Sequence, residues 1–143
     1  FTILNLRGKF MKIDNLLRQH REIYKDLDKI KKLISNSDFE NYYTEFSRDL
    51  SLLSGKLQIH LNTEDKFLYP ALLKKEDLKE KTQKYIIEIK NLLNDFTEYK
   101  NKFNTKSKLM NYDETFIKKE TIYMIKQIES RMIKEEGDIY ELC

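Results

Sequence analysis

His60 and Glu64 stand four residues apart in the string LQIHLNTEDKFLYP, residues 57–70. On a helix, positions i and i+4 lie one above the other on the same face, so the imidazole and the carboxylate can address one point. Buried inside a bundle, such a pair needs either hydrogen bonds for every donor and acceptor or a metal ion. The chain has two histidines, and the other, His20, falls between Leu17 and Tyr24. Glu88 follows Tyr85 by three residues and precedes Leu92 by four, while Arg131 and Glu135 continue the three-four spacing of Met124 and Ile128. His20, His60, Glu64, Glu135 and Glu88 are therefore the candidate metal ligands. Imidazole with carboxylate suits Fe, Mn or Zn, and no thiolate is suitably placed, because the single cysteine is Cys143 at the end of the chain.

Each residue also has a plainer reading. His20 on an apolar stripe fits a hydrogen-bonded core residue, and Glu88 fits a solvated flank. Arg131 can pair with Glu135 or Glu64 in a buried ion pair without any metal. Tyr24, Tyr69, Tyr85 and Tyr140 fit amphipathic positions at the core edge, and Asp65 and Glu136 are outward neighbours of the inward acids. The combination is harder to account for than its members. A metal-free cluster of two imidazoles and two or three carboxylates has many donors and acceptors to satisfy internally.

Four segments with helical periodicity must position these groups. The first runs from about Leu6 or Phe10 to Ile34, with Ile13, Leu17, His20, Tyr24, Leu27 and Ile34 on one stripe. Residues 35–38 (SNSD) end it, and Ser37 or Asp38 is a cap for the next. The second runs from about Phe39 to Tyr69, with Leu50, Leu53, Leu57, His60, Glu64 and Phe67 facing in, and Pro70 near its end. The third runs from about Glu76 to Phe103 with Tyr85, Ile89, Leu92, Phe96, Tyr99 and Phe103 on its seam. The polar run 104–113 is a loop, with Asp113 as a cap. The fourth runs from about Glu114 to Leu142 with Ile117, Thr121, Met124, Ile128, Glu135 and Ile139 inward.

Short connections between amphipathic helices predict an all-α, antiparallel up-down-up-down four-helix bundle, one domain over residues 1–143 with no repeat or linker. His60 lies about eleven residues before the second connection and Glu88 about twelve after it, so at about 1.5 Å per residue they reach similar height. His20 and Glu135 fall in the same half of the bundle.

Three glycines and one proline leave few helix breakers. Lys and Arg number 27 against 24 Asp and Glu, a net charge of +3 with both signs interspersed, which argues against a nucleic-acid surface. No apolar run approaches the roughly 20 residues of a membrane span. The opening FTILNLRGKF is too short in apolar residues for a secretory signal, and the chain begins at Phe1 rather than Met, so the native start is expected upstream. A lone terminal cysteine fits a reducing compartment, and a cytoplasmic location is expected.

The chain resembles the hemerythrin-like (HHE cation-binding) domain family over almost its whole length. The resemblance rests on LLRQHREI (16–23), HLNTEDKFLYP (60–70) and RMIKEEGDIYEL (131–142). The family pattern is a His in helix one, His-x-x-x-Glu in helix two, further His in helix three, and a His-and-acid motif in helix four. The resemblance implies a four-helix bundle holding non-haem iron, usually as an oxo-bridged pair, with roles in oxygen carriage or sensing, iron sensing, and oxidative or nitrosative stress. His20, His60 and Glu64 match family ligands, and Glu135 stands where the acid belongs. Arg131 stands where the family has His, and the third helix has no His, leaving Glu88 as its substitute.

Those departures point away from a five-histidine di-iron centre and from reversible oxygen carriage. A fixed cation at Arg131 opposes metal charge and favours a mononuclear or weakened site. Three readings follow. The leading one is an iron-binding protein of oxygen, iron or stress sensing or protection, with O2 or NO as a possible ligand. The second is a metal-free bundle serving as a regulatory or protein-interaction module, with Arg131 paired to a core carboxylate. The third is an enzyme acting on peroxide, nitric oxide or Fe(II) through an open metal position.

Overall fold

The structure is a computed structural model that describes the backbone of residues 3–143 and the side chains of residues 13–143. The long helices are α1 (Ile3–Ile34), α2 (Tyr43–Thr63), α4 (Lys79–Phe103) and α6 (Glu114–Lys134), with short helices α3 (Tyr69–Leu73) and α5 (Lys106–Leu109) between them. Among the long helices α1 packs on α2, α2 on α4, α4 on α6 and α6 back on α1. Each helix thus touches its chain neighbour and the ring closes, which is the up-down-up-down antiparallel bundle expected from the short connections. Among the described residues no helix is long and apolar enough to cross a membrane.

Most predicted seams pack as read. Leu27, Leu50, Leu53, Phe96, Phe103, Ile117 and Ile128 are all buried. Asp113 caps α6 by accepting from the Thr115 N–H. Asp38 precedes a 3-10 turn at Phe39–Tyr42 but makes no side-chain cap bond; its carbonyl accepts from Asn41 N–H at 2.9 Å instead. The loop expected at 104–113 contains α5, whose Thr105 side chain accepts from Lys108 N–H and whose Leu109 is fully buried against the end of the bundle.

Phe67, expected on the inward seam, is 38% exposed, while Leu68 and Tyr69 are buried. The cause is a π turn at Glu64–Leu68, in which Tyr69 N–H reaches back five residues to the Glu64 carbonyl. One extra residue in the turn advances the side chains by about 100°, so Glu64 and Tyr69 share a face rather than Glu64 and Phe67. The helix also runs beyond Pro70 to Leu73, because α3 restarts after that turn and Pro70 occupies its first turn, where a missing N–H costs little. A second π turn, Glu135–Ile139, ends α6, and Tyr140 N–H bonds the Glu135 carbonyl.

The core divides into two apolar clusters. One contains Ile23, Leu27, Phe46, Leu53, Leu57, Phe96, Ile128 and Met132. The other contains Leu16, Leu61, Leu68, Tyr69, Ile89, Ile139 and Tyr140. His20, His60 and Glu135 lie in sequence between members of the two clusters, Glu64 and Arg131 lie one turn from His60 and Glu135, and all five are buried. They form a polar layer where the two apolar clusters meet.

Candidate metal centre

Three donor atoms meet at one point in that layer. His20 Nε2 lies 3.0 Å from His60 Nε2 and 2.8 Å from Glu135 Oε1, and His60 Nε2 lies 2.9 Å from Glu135 Oε1. They come from α1, α2 and the start of the π turn after α6. His20, His60 and Glu135 form a buried group able to hold an ion. Two donors each about 2.0–2.1 Å from one ion stand about 2.9 Å apart at a right angle and about 3.4 Å apart at the tetrahedral angle. The observed spacings fall at the first of these values.

A hydrogen-bond relay dictates which face of His60 carries its lone pair. The Thr63 hydroxyl donates to the Ile59 carbonyl at 2.9 Å, so its oxygen accepts from the Gln19 amide nitrogen at 3.0 Å. The Gln19 amide oxygen is then turned toward His60 and accepts from its Nδ1–H at 2.8 Å. A neutral His60 therefore presents a bare Nε2 to the Glu135 carboxylate and to His20. Two lone pairs at 2.9 Å repel unless a cation lies between them. A metal ion or an added proton on His60 meets that need. His20 Nδ1 has no hydrogen-bond partner, and its nearest carboxylate is Glu136 at 3.7 Å. A metal on Nε2 leaves this nitrogen unsatisfied as well, so it does not separate the two cases. The bare His60 Nε2 facing the Glu135 carboxylate is the feature that a cation, such as a metal ion, accommodates.

The other half of the layer is held by Arg131. Its Nε donates to Glu135 Oε2 at 2.9 Å and its Nη2 donates to the Tyr69 hydroxyl at 3.0 Å. The Tyr69 hydroxyl reaches Glu64 Oε1 at 3.4 Å, and Tyr140 donates to Glu64 Oε2 at 3.1 Å. Burial pushes the Glu135 carboxyl up, but in the metal-free layer with the added proton on His60, hydrogen bonds from His20 and His60 and the charges of His60 and Arg131 outweigh it and hold Glu135 well below the usual range. Glu64 goes the other way. Burial and the adjacent Glu135 charge raise it well above the carboxylate range, and Arg131 offsets only part of this. The two acids are thus pushed in opposite directions, Glu64 toward holding a proton and Glu135 toward releasing it. Arg131 remains a cation, its burial outweighed by Glu135 and Tyr69.

Of the five sequence-predicted ligands, His20, His60 and Glu135 come together. Glu64 lies at the edge, its Oε2 3.6 Å from His60 Nε2. Glu88 sits about half exposed outside the layer, where it accepts from Lys134 at 2.7 Å and lies 3.5 Å from Arg131. Gln19 and Thr63 do not stand out as site residues in the sequence, where Tyr69 and Tyr140 fit only core-edge positions. Gln19 is adjacent to His20 and Thr63 follows Ile59 by one turn; neither type signals a ligand-orienting role without the fold. The two tyrosines had a signal: each follows an inward glutamate by five residues, in ED-x-x-x-Y at 64–69 and EE-x-x-x-Y at 135–140.

A family model, the hemerythrin HHE cation-binding domain, matches residues 11–143. The chain belongs to this family. Neither a curated protein nor a solved structure matches it. The buried His20, His60 and Glu135 group, which could hold a metal ion, lies within the matched residues. An apolar cavity of about 20 Å³ adjoins it, walled by Ile23, Leu57, Phe96 and Ile128, with His60, Arg131 and Glu135 at its polar end.

Proposed function

We propose that this hemerythrin-type protein holds a single non-haem metal ion, iron in its working form, through His20 Nε2, His60 Nε2 and Glu135 Oε1. The observation that carries this reading is the convergence of those atoms within 3.0 Å of one another in a fully buried layer. Two imidazoles and one carboxylate form a donor set typical of non-haem Fe(II), with Mn and Zn as chemically reasonable substitutes. When bound, iron supplies a redox-active Lewis acid that takes small ligands. The chain's residues do the rest. Gln19 and Thr63 orient His60, Arg131 neutralises Glu135 on its far oxygen, and the apolar walls keep bulk water from the layer. Arg131 occupies the side of Glu135 away from the histidines, where its charge disfavours a second ion.

The role that fits is sensing of, or protection from, oxygen, iron, or oxidative and nitrosative stress. The cavity beside the donor atoms supports this, since it suits a small, weakly polar molecule such as O2 or NO. Metal analysis of protein prepared without chelator or nickel affinity resin tests the reading. About one equivalent of iron, taken up from anaerobic Fe(II), is expected. Less than about a tenth of an equivalent of Fe, Mn or Zn, with no uptake, sinks it.

The Arg131–Glu135 ion pair favours one alternative, a metal-free bundle acting as a regulatory or interaction module. On that reading, replacing His20 and His60 together alters stability and no metal-dependent property.

A further inference from the structure

Tyr140 is the group in the layer whose surroundings its own chemistry does not explain. Its hydroxyl lies 3.1 Å from His20 Nε2, 3.4 Å from His60 Nε2, 3.1 Å from Glu135 Oε1 and 3.1 Å from Glu64 Oε2. A phenol has one proton to donate. Four nitrogen and oxygen atoms crowd its oxygen, and three of them belong to the proposed ion-binding group. The π turn produces this approach, since it stacks residue i+5 over residue i and brings Tyr140 over Glu135. The ring is held by its 5.5 Å stacking on His20 and by burial of all but 7% of the residue. With the three other donors, the phenol oxygen completes a four-cornered shell whose edges run from 2.8 to 3.4 Å. A point central to the four atoms lies about 1.9 Å from each, so a small outward shift of the donors seats a transition ion at about 2.0–2.1 Å. Tyr69, the other phenol in the layer, does not share this position: its hydroxyl takes the Arg131 hydrogen bond and reaches Glu64 on the opposite side.

We infer that Tyr140 is a direct oxygen ligand of the bound ion, making the site a two-histidine, one-carboxylate, one-phenolate centre in the ferric state. The inference rests on the one-ion reading above. As the oxygen–metal bond forms, the phenol O–H bond breaks and its proton leaves to solvent; nothing is oxidised or reduced. A phenolate donor favours the ferric over the ferrous ion, so Tyr140 biases this chain toward holding iron in its oxidised form.

The full chain is loaded from ferric nitrilotriacetate, its iron counted by mass spectrometry, and its visible absorption and resonance Raman spectra recorded. A phenolate-to-iron charge-transfer band carrying tyrosinate ring modes is expected in the unmodified protein and in Tyr69→Phe, with about one iron in each. Tyr140→Phe is expected to lose the band. If that variant does not fold, Tyr69→Phe alone decides, because it removes the other phenol of the layer. Iron bound without the band, a band lost in Tyr69→Phe, or a band kept in Tyr140→Phe overturns the assignment while leaving the one-ion reading intact. No bound iron in the unmodified protein overturns both.

Discussion

Arg131→Met tests whether the guanidinium exists to compensate Glu135. The pair is 2.9 Å apart with side chains 7% and 1% exposed, so water screens it poorly. At an effective dielectric constant of about 20, opposite charges at that distance attract by about 6 kcal/mol before desolvation is counted. Removing one partner of a buried pair costs about 3–5 kcal/mol, because the other charge is left alone in the interior. Methionine keeps most of the apolar stem, so packing loss adds little. In a Glu135→Gln background there is no charge to strand, and the same change costs about 1 kcal/mol for lost hydrogen bonds. The expected coupling is therefore about 2–4 kcal/mol, measured by urea unfolding of the four proteins at pH 7 in chelator, followed by circular dichroism. A redox-silent ion adds a second arm. Zn(II) supplies the missing positive charge, so it should stabilise Arg131→Met more than the unmodified protein. Equal costs of Arg131→Met in both backgrounds, with equal stabilisation by Zn(II), would refute the compensation argument.

Four further outcomes follow from the same geometry. Gln19→Leu removes the acceptor of the His60 Nδ1–H and frees the ring to take the wrong tautomer; Zn(II) affinity by chelator competition should fall by about 10–100-fold with helicity unchanged. Glu88→Gln, outside the layer, should leave metal stoichiometry and affinity unaltered in the same titration. Phe46→Ala should cost about 3–5 kcal/mol in urea unfolding, since its ring is fully buried in the first apolar cluster. The metal-free protein should also show a pH signature of Glu64. Its folded pKa is raised, so the native state takes up a proton; that stabilisation is complete below the ordinary value near 4.5 and declines as pH rises, by up to about 1.4 kcal/mol per unit. Glu64→Gln should flatten this decline above pH 5. Glu135 has the opposite sign: its contribution is present above its ordinary value and lost as pH falls below it.

The bundle was legible because its seams obey one rule along most of the chain. Leu50, Leu53 and Leu57, or Ile117, Thr121, Met124 and Ile128, recur at spacings of three and four and are buried as that period requires. His20, His60 and Glu135 were legible for the same reason, as polar residues standing on those seams. The period stops predicting where the backbone changes its own. Phe67 was assigned inward by counting three from Glu64, and the π turn turned it out and brought Tyr69 in. Nothing in EDKFL announces such a turn, and Gly137 in EEGDI weakens the helix there without specifying a π turn. Glu88 failed differently. A position beside the seam leaves a long side chain free to reach either way, and Lys134 and Arg131 outcompete the interior for its carboxylate.

The two π turns also explain why the site has two unequal halves. After α2 and after α6 the chain runs through the same succession: a nitrogen-bearing side chain, glutamate four residues on, a π turn, and tyrosine five residues beyond the glutamate. In one copy the nitrogen group is His60, and in the other it is Arg131. The elements that follow are alike, so the difference between the halves comes from that position and from its neighbours across the bundle. His60 meets a second imidazole from α1, while α4 offers Arg131 no histidine. Guanidinium cannot give up its proton to become a donor to a metal, but it holds a permanent positive charge against Glu135 Oε2. Glu135 is bound by that charge through one oxygen and faces the histidines with the other. A single carboxylate shared between a fixed organic cation and an exchangeable metal ion needs no second metal for neutrality. Restoring histidine at Arg131 alone would remove the fixed charge without supplying the missing donor from α4, so Arg131→His should weaken the protein in chelator and still bind one ion. Two bound ions in that variant, counted by mass spectrometry, would show that Arg131 alone excludes the second.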